Sequence, residues 1–512
     1  MSRELTKHTL TVSSMTLLSR ISGFVRDMVG ATLFGASGGF DAFVLAFKIP
    51  NFMRRLFAEG AFSQAFVPVL AECKEKGGDD GVRAFSSNMM GTLGSVLFMV
   101  TLLGMLFAGF FVWVFAPGFD TADGRFPLAV EMLQITFPYL FLISLAAFMS
   151  GILNLYGCFW GPAITPVLLN LSMVAASVFL ASYFTTPVVA LAVGVVIGGV
   201  LQFIFQLPFL KQRALLVRPR FNFRDPHVKK VMKLMLPALL GVSVNQINLI
   251  VDSAFASFLP TGSVSWLYYA DRLMEFPLGV FGVALATVVL PKMSRQHAAK
   301  QGTHFKQTLT WGVRSVFLVG LPAAVGLGVL ALPLTSTLFY HGAFSQTDMV
   351  STSECLVAYS VGILGFMAAK VLASGFYAQQ DLKTPVRIAI FCMILNLVLN
   401  ASFINILHHA GLALATAIAA LANAFLLAFV LQRRGLLCLQ QELRFGLRVV
   451  LACTTMGLCV WYCADDVSFW SESDKFARAL KLFGLVGLGI LSFAATLLAI
   501  GFRPSSLKAE AA

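Results

Sequence analysis

A chain of 512 residues that is 58% hydrophobic and only 12% charged, with mean hydropathy +0.82, is not a water-soluble protein; soluble domains carry about 25% charged residues. Its net charge of +13 raises nucleic acid as a partner. The Lys and Arg residues fall between hydrophobic runs, however, where membrane topology accounts for them, so nucleic acid is set aside.

Apolar segments of bilayer-crossing length follow one another along the whole chain. They lie near 8–34, 39–70, 84–116, 127–157, 160–184, 187–210, 229–259, 263–292, 308–339, 350–378, 384–407, 410–432, 444–464 and 476–502. The expected fold is therefore an all-α integral membrane protein with fourteen transmembrane helices. The first run lacks a small-residue cleavage site and reads as a retained helix. The eight cysteines show no metal-type spacing and read as reduced core residues.

The first segment carries Arg20 and Arg26 at bilayer depth, where a charge costs roughly 2.5–3.5 kcal/mol on insertion scales. Two such residues imply a polar cavity inside a bundle, with an anion as guest. Asp27 is seven residues from Arg20, on one stripe, and reads as an orienting partner of Arg20 or a neighbour. Arg20 and Arg26 are about 120° apart on an ideal helix. They converge only if the helix bends, and Ser22-Gly23 between them predicts a kink. The second segment carries Asp41 and Lys48, able to pair, then Pro50, Asn51, Arg54 and Arg55. Arg55 and Glu59 can also be read as snorkelling toward the cytoplasmic end. The eighth carries Asp271, Arg272 and Glu275. Arg20, Arg26, Lys48, Arg54 and Arg55 against Asp27, Asp41 and Glu59 leave plus two on helices 1 and 2, and Arg272 against Asp252, Asp271 and Glu275 leaves minus two on helices 7 and 8, so the anion site is expected in the N-terminal half.

A second, weaker constellation is Asp252 on helix 7, Asn396 and Asn400 on helix 11, and Thr416 on helix 12. Carboxylate, amide and hydroxyl oxygens suit a sodium or proton site. Hydrogen bonding between helices explains the Asn and Thr equally well. No Walker loop, zinc-protease motif or nucleophile with its base is present, so neither ATP-driven transport by this chain alone nor an enzyme is expected, and no cofactor is called for.

The chain also resembles itself. Gly39-Phe40-Asp41-Ala42-Phe43 and Gly262-Ser263-Val264-Ser265-Trp266 open corresponding helices about 223 residues apart. Six helices per repeat is an even number, so the copies share an orientation and are parallel repeats around a central cavity. The expected division is residues 1–225 for the first bundle with its basic linker, 226–435 for the second, and 436–512 for two further helices. Alternate loops are rich and poor in Lys and Arg, which predicts cytoplasmic N- and C-termini.

Asn51-Phe52-Met53-Arg54-Arg55-Leu56-Phe57-Ala58-Glu59-Gly60-Ala61-Phe62-Ser63-Gln64-Ala65-Phe66-Val67-Pro68 resembles the hallmark of the bacterial MurJ (MviN) family of lipid II flippases. Tyr268-Tyr269-Ala270-Asp271-Arg272-Leu273-Met274-Glu275-Phe276-Pro277, the opening Ser19-Arg20…Arg26-Asp27 and Thr136-Phe137-Pro138-Tyr139 fit too, over essentially the whole chain. The resemblance implies a multidrug/oligosaccharidyl-lipid/polysaccharide exporter fold in the bacterial inner membrane. The substrate it implies is undecaprenyl-pyrophosphate carrying a disaccharide-pentapeptide, with membrane lipids and cell-wall synthesis proteins as partners. It implies substrate roles for Arg20, Arg26, Arg54 and Arg272, and for Asp41, Ser265 and Glu275. Lys48 and Asn51 are grouped with them, and Asp27 and Asp271 support them. Helices 13 and 14 are expected to form a groove for the lipid tail. The drive is expected to be the membrane potential, with a coupling ion at Asp252. The alternatives are another polyprenyl-linked oligosaccharide flippase or a drug/cation antiporter of the same superfamily; a cavity with four arginines disfavours cationic drugs.

Overall fold

The computed structural model describes residues 3–55, 61–121 and 123–502, and every described element is helical or a turn. Nine of the described helices are long and apolar enough to cross a membrane. The chain divides into two compact units, 1–264 and 265–512.

The first unit contains α1 (Arg3–Phe34), α2 (Gly38–Arg54), α3 (Ala61–Leu106), α4 (Ala108–Phe115), α5 (Arg125–Thr136), α6 (Pro138–Leu155), α7 (Trp160–Phe179), α8 (Val189–Gln212) and α9 (Pro226–Ser257). α3 is two helices joined at Gly78, whose φ of 57° and ψ of −148° are open to glycine alone. This is the turn that the Gly77-Gly78-Asp79-Asp80 run suggests. Pro50 cannot donate a backbone hydrogen bond inside α2, which leaves the Ala46 carbonyl without its helical partner. The buried Thr136 hydroxyl of α5 donates to that carbonyl at 3.1 Å. In a membrane an unsatisfied carbonyl costs several kcal/mol, so the proline fixes where α5 must pack. α7 and α8 approach through small residues: a Cβ at Gly194 would come within 2.9 Å of Ala176 and Met173. Ser172 donates to the Gly194 carbonyl at 2.9 Å across the same seam.

The basic segment between α8 and α9 is strapped along α3. Arg83 Nε donates to the Ala214 carbonyl at 2.8 Å, Ser87 Oγ to Arg218 O at 2.6 Å, and Arg220 N to Ser87 O at 2.9 Å. Asn222 N donates to Thr92 Oγ1 at 3.2 Å, and Asn88 Nδ2 to Asp225 at 2.9 Å. A Cβ at Gly91 would overlap the Arg220 carbonyl, so only glycine lets the strap lie this close. Asp225 then caps α9 by accepting from His227 N and Val228 N. α9 thus packs with the first unit.

The second unit holds α10 (Ser263–Pro277) except for its first two residues, α11 (Val283–Ala298), α12 (Gly302–Val329), α13 (Ala331–Phe339), α14 (Gln346–Tyr377), α15 (Lys383–Arg433), α16 (Leu439–Cys463), α17 (Val467–Glu472) and α18 (Lys475–Ala499). A π-helical turn, Leu278–Gly282, follows Pro277. α15 is broken at His408, at φ 47° and ψ −127°, close to the boundary expected between two spans. Gly362 and Gly365 of α14 abut Ala417 and Ala420 of α15 closely enough that a Cβ would fall within 2.6–2.8 Å of them. Arg478 of α18 is buried and donates to Ser336 Oγ and to the Trp470 carbonyl, fastening α13 and α17 to α18.

Candidate functional site

In the first unit Arg26 of α1 and Lys48 of α2 make bonds that reach other helices. Arg26, 9% exposed, donates through Nε and Nη2 to Asp27 Oδ1 at 2.9 and 2.7 Å, and through Nη1 to Asn170 Oδ1 of α7 at 3.0 Å. Asn170 Nδ2 donates in turn to Ser19 O at 3.2 Å and Ser22 Oγ at 3.0 Å. Asp27 therefore orients its neighbour Arg26. Arg20 is half-buried and makes no hydrogen bond or ion pair among the described residues.

Helical conformation is unbroken at Ser22-Gly23, where a kink was expected. α1 stays helical from Arg3 to Phe34. A Cβ at Gly23 would sit 3.4 Å from Asn170 Nδ2, an ordinary van der Waals contact, so α1 and α7 lie close together at this position. The reason for expecting a bend was the angle between Arg20 and Arg26. The structure gives Arg26 a partner on α7.

On α2, Asn51 Nδ2 donates to the Phe47 carbonyl at 3.0 Å, and Arg54 Nε donates to Asn51 Oδ1 at 3.2 Å. Asn51 is thus a bracket for Arg54. Lys48 Nζ donates to Ser253 Oγ of α9 at 3.1 Å. Asp41, fully buried in the first turn of α2, accepts from Gly262 N at 2.7 Å. Glu59 lies outside the described residues.

In the second unit, Arg272 of α10 donates to Glu275 at 2.9 Å and stands over the Tyr268 ring at 4.8 Å, both contacts being local to that helix. Ser265 is fully buried and Asp271 half-buried on the same helix. Asn396, Asn400 and Thr416 come together: Asn400 Nδ2 donates to Asn396 Oδ1 at 3.1 Å, and Asn396 Nδ2 to Thr416 Oγ1 at 3.2 Å. The Thr416 hydroxyl donates onward to Leu412 O at 3.0 Å. The chain of bonds ties the two arms of α15, as interhelical hydrogen bonding would. Asp252 lies in α9, in the first unit.

Two participants were passed over in the sequence. Asn170 is a lone amide in an apolar run, and a polar group at that depth is itself the signal. Arg125 falls in a predicted loop, but the structure buries it at the head of α5.

The family model for lipid II flippase MurJ matches residues 30–479. The chain belongs to that family. A probable lipid II flippase MurJ of Haemophilus influenzae is 46% identical over 96% of the chain and 99% of its own length. One of Vibrio cholerae is 47% identical over 99% and 98%. The lipid II flippase MurJ of Burkholderia cenocepacia is 42% identical over 95% of both chains. Among solved structures, a lipid II flippase MurJ in an inward closed conformation superposes with TM-score 0.79 at 28% identity, covering 95% of this chain and 98% of that one. An inward-facing multidrug transporter of the MATE family shares the fold, with TM-score 0.69 at 14% identity over 83% of this chain and 98% of that one. The MurJ match includes the elements that carry Arg54, Arg272 and Glu275; Arg20 and Arg26 precede the residues matched by the family model but lie within the Vibrio alignment's near-complete coverage.

Proposed function

We propose that the chain moves lipid II from the cytoplasmic to the periplasmic leaflet of a bacterial inner membrane by alternating access, as a transporter and not an enzyme. The supporting observation is Arg26: a guanidinium buried within a helix of bilayer-crossing length and fixed in place by Asp27 and Asn170. Arginine's planar fork suits a pyrophosphate, and a dry site strengthens the attraction. Arg20, Arg54 and Arg272, bracketed by Asn51 and Glu275, are the other donors; Asp41, Lys48, Ser265 and Asp271 shape the site. Fourteen spans in two parallel six-helix repeats, with both termini cytoplasmic, would form the cavity. The last two helices, within 436–512, would offer the polyprenyl tail a groove.

The membrane potential can supply about 2.3 kcal/mol per charge per 100 mV. Asp252 is the carboxylate through which an ion would couple; Asp252→Ala is expected to abolish any sodium or pH dependence. The test of the main reading is complementation of a host depleted of its own lipid II flippase. The wild-type chain should rescue growth, and Arg20→Ala, Arg26→Ala and Arg272→Ala should not. Rescue by all three arginine variants would refute the anion cavity.

A further inference from the structure

At the head of α2, the Asp41 carboxylate holds the turn that leads into α10, and a buried arginine stands beside it. Asp41 Oδ2 accepts the Gly262 N–H at 2.7 Å. Gly262 takes a φ of 97°, which an L side chain rarely adopts, so the turn presents that N–H only because glycine is there. Arg125 approaches the same oxygen from α5, with Nη1 at 4.0 Å from Asp41 Oδ2. Its other end is already committed: Nε donates to Asp123 Oδ2 at 2.5 Å, the Arg125 N–H donates to Asp123 Oδ1 at 3.0 Å, and the guanidinium lies 4.8 Å over the Phe119 ring. Its stem lies against Gly38, where a Cβ would come within 3.3 Å of it. Nη1 is buried and has no hydrogen-bond partner among the described residues.

A buried N–H donor on a charged group, too far to bond yet aimed at a carboxylate, is costly to keep unless it is used in another state. We propose that Arg125 is a positioning residue that exchanges with Gly262 for Asp41. While the turn is seated, the Gly262 N–H holds Oδ2. When the turn leaves, Nη1 closes the remaining gap and replaces the lost donor. The exchange lowers the cost of unseating the turn, because a buried carboxylate loses one donor and gains another. The proposal rests on the alternating-access reading and adds a residue to it.

Ser263 reports on the turn. It is fully buried, and its hydroxyl makes no hydrogen bond among the described residues, so Ser263→Cys removes no bond. In a variant whose eight native cysteines are replaced, labelling of that thiol by a membrane-impermeant maleimide measures unseating of the turn. Arg125→Gln should slow labelling roughly tenfold and slow flipping with it, the size expected for one charge-assisted hydrogen bond. Arg125→Lys should retain part of the rate. Asp123→Asn, which leaves Nη1 in place, should stay near wild type. In an Asp41→Asn background, Arg125→Gln should have no further effect. Unchanged labelling in Arg125→Gln, or equal slowing with and without Asp41, would overturn the exchange and leave Arg125 as a fastener of the 119–125 loop. Failure of the wild-type chain to complement would overturn the flippase reading, while the labelling comparison still decides the exchange.

Discussion

Arg26 and Arg272 differ in the contacts that hold them. Arg26 is bonded to α7 across 144 residues of sequence and is almost fully buried. Arg272, about one-third exposed, leans on Glu275 and Tyr268 of its own helix. A charge tied to another helix is set by the tertiary fold, and moving it means moving that helix. A charge tied within three or four residues keeps its geometry wherever the helix goes. Arg26 is thus fixed by the packing of α1 on α7, while the Glu275 and Tyr268 contacts of Arg272 lie along α10.

The largest expected effect that could break this contrast is Arg26→Ala. It leaves Asp27 buried beside a missing cation, and losing one partner of a buried pair costs about 3–5 kcal/mol. Thermal unfolding in detergent should show a large drop. Arg272→Ala should lower flipping while shifting unfolding by less than about 1 kcal/mol, because its ion pair is partly solvated. Equal destabilisation by both would erase the distinction. Next in size, Asn170→Ala removes the tertiary anchor while leaving the Asp27 pair. It should cost about 1–3 kcal/mol and weaken apparent substrate affinity more than turnover; a purely structural Asn170 would leave the KM unchanged.

The smallest effect is a control outside the spans, at Asp381. Burial pushes its carboxyl up, but hydrogen bonds from the Thr384 side chain, Arg434 and the Thr384 backbone outweigh this and hold it at about 2, below the ordinary 3.8. A carboxylate whose folded-state pKa is depressed contributes stability above its unfolded value and loses it as pH falls from about 4 toward 2. Since Arg434 is about one-third exposed, Asp381→Asn should cost no more than about 1 kcal/mol at neutral pH. Its unfolding should be less acid-sensitive than the wild type's in that window and no different above it.

Much of this was legible in the sequence, because the bilayer leaves few options for a polar group. Arg26 and Asp27 stood out for that reason, and the turn at Gly78 and break near His408 followed from loop residues between apolar runs. The partner on α7 was not legible. Asn170 is adjacent to Arg26 only after α1 and α7 pack, and no spacing rule spans 144 residues. With one helix in view, convergence of two arginines called for a bend; with the neighbouring helix present, Arg26 has its partner on α7. Asn396, Asn400 and Thr416, singled out by their oxygen-bearing side chains, do meet. Their mutual hydrogen bonds, set by the break at His408, are a tertiary fact.

The strap along α3 also bears on how the chain meets a protease. Arg220 and Arg224 look like trypsin sites in an exposed connection. Cleavage requires several residues to peel away and enter an active site as an extended strand. Here the segment is already extended, but its backbone is occupied by Arg83, Ser87 and Thr92. Nicking must wait for those bonds to open together. Limited proteolysis should therefore read out the seating of the strap on α3, making a stretch that looks like a loose tether a gauge of whether the first unit is properly assembled.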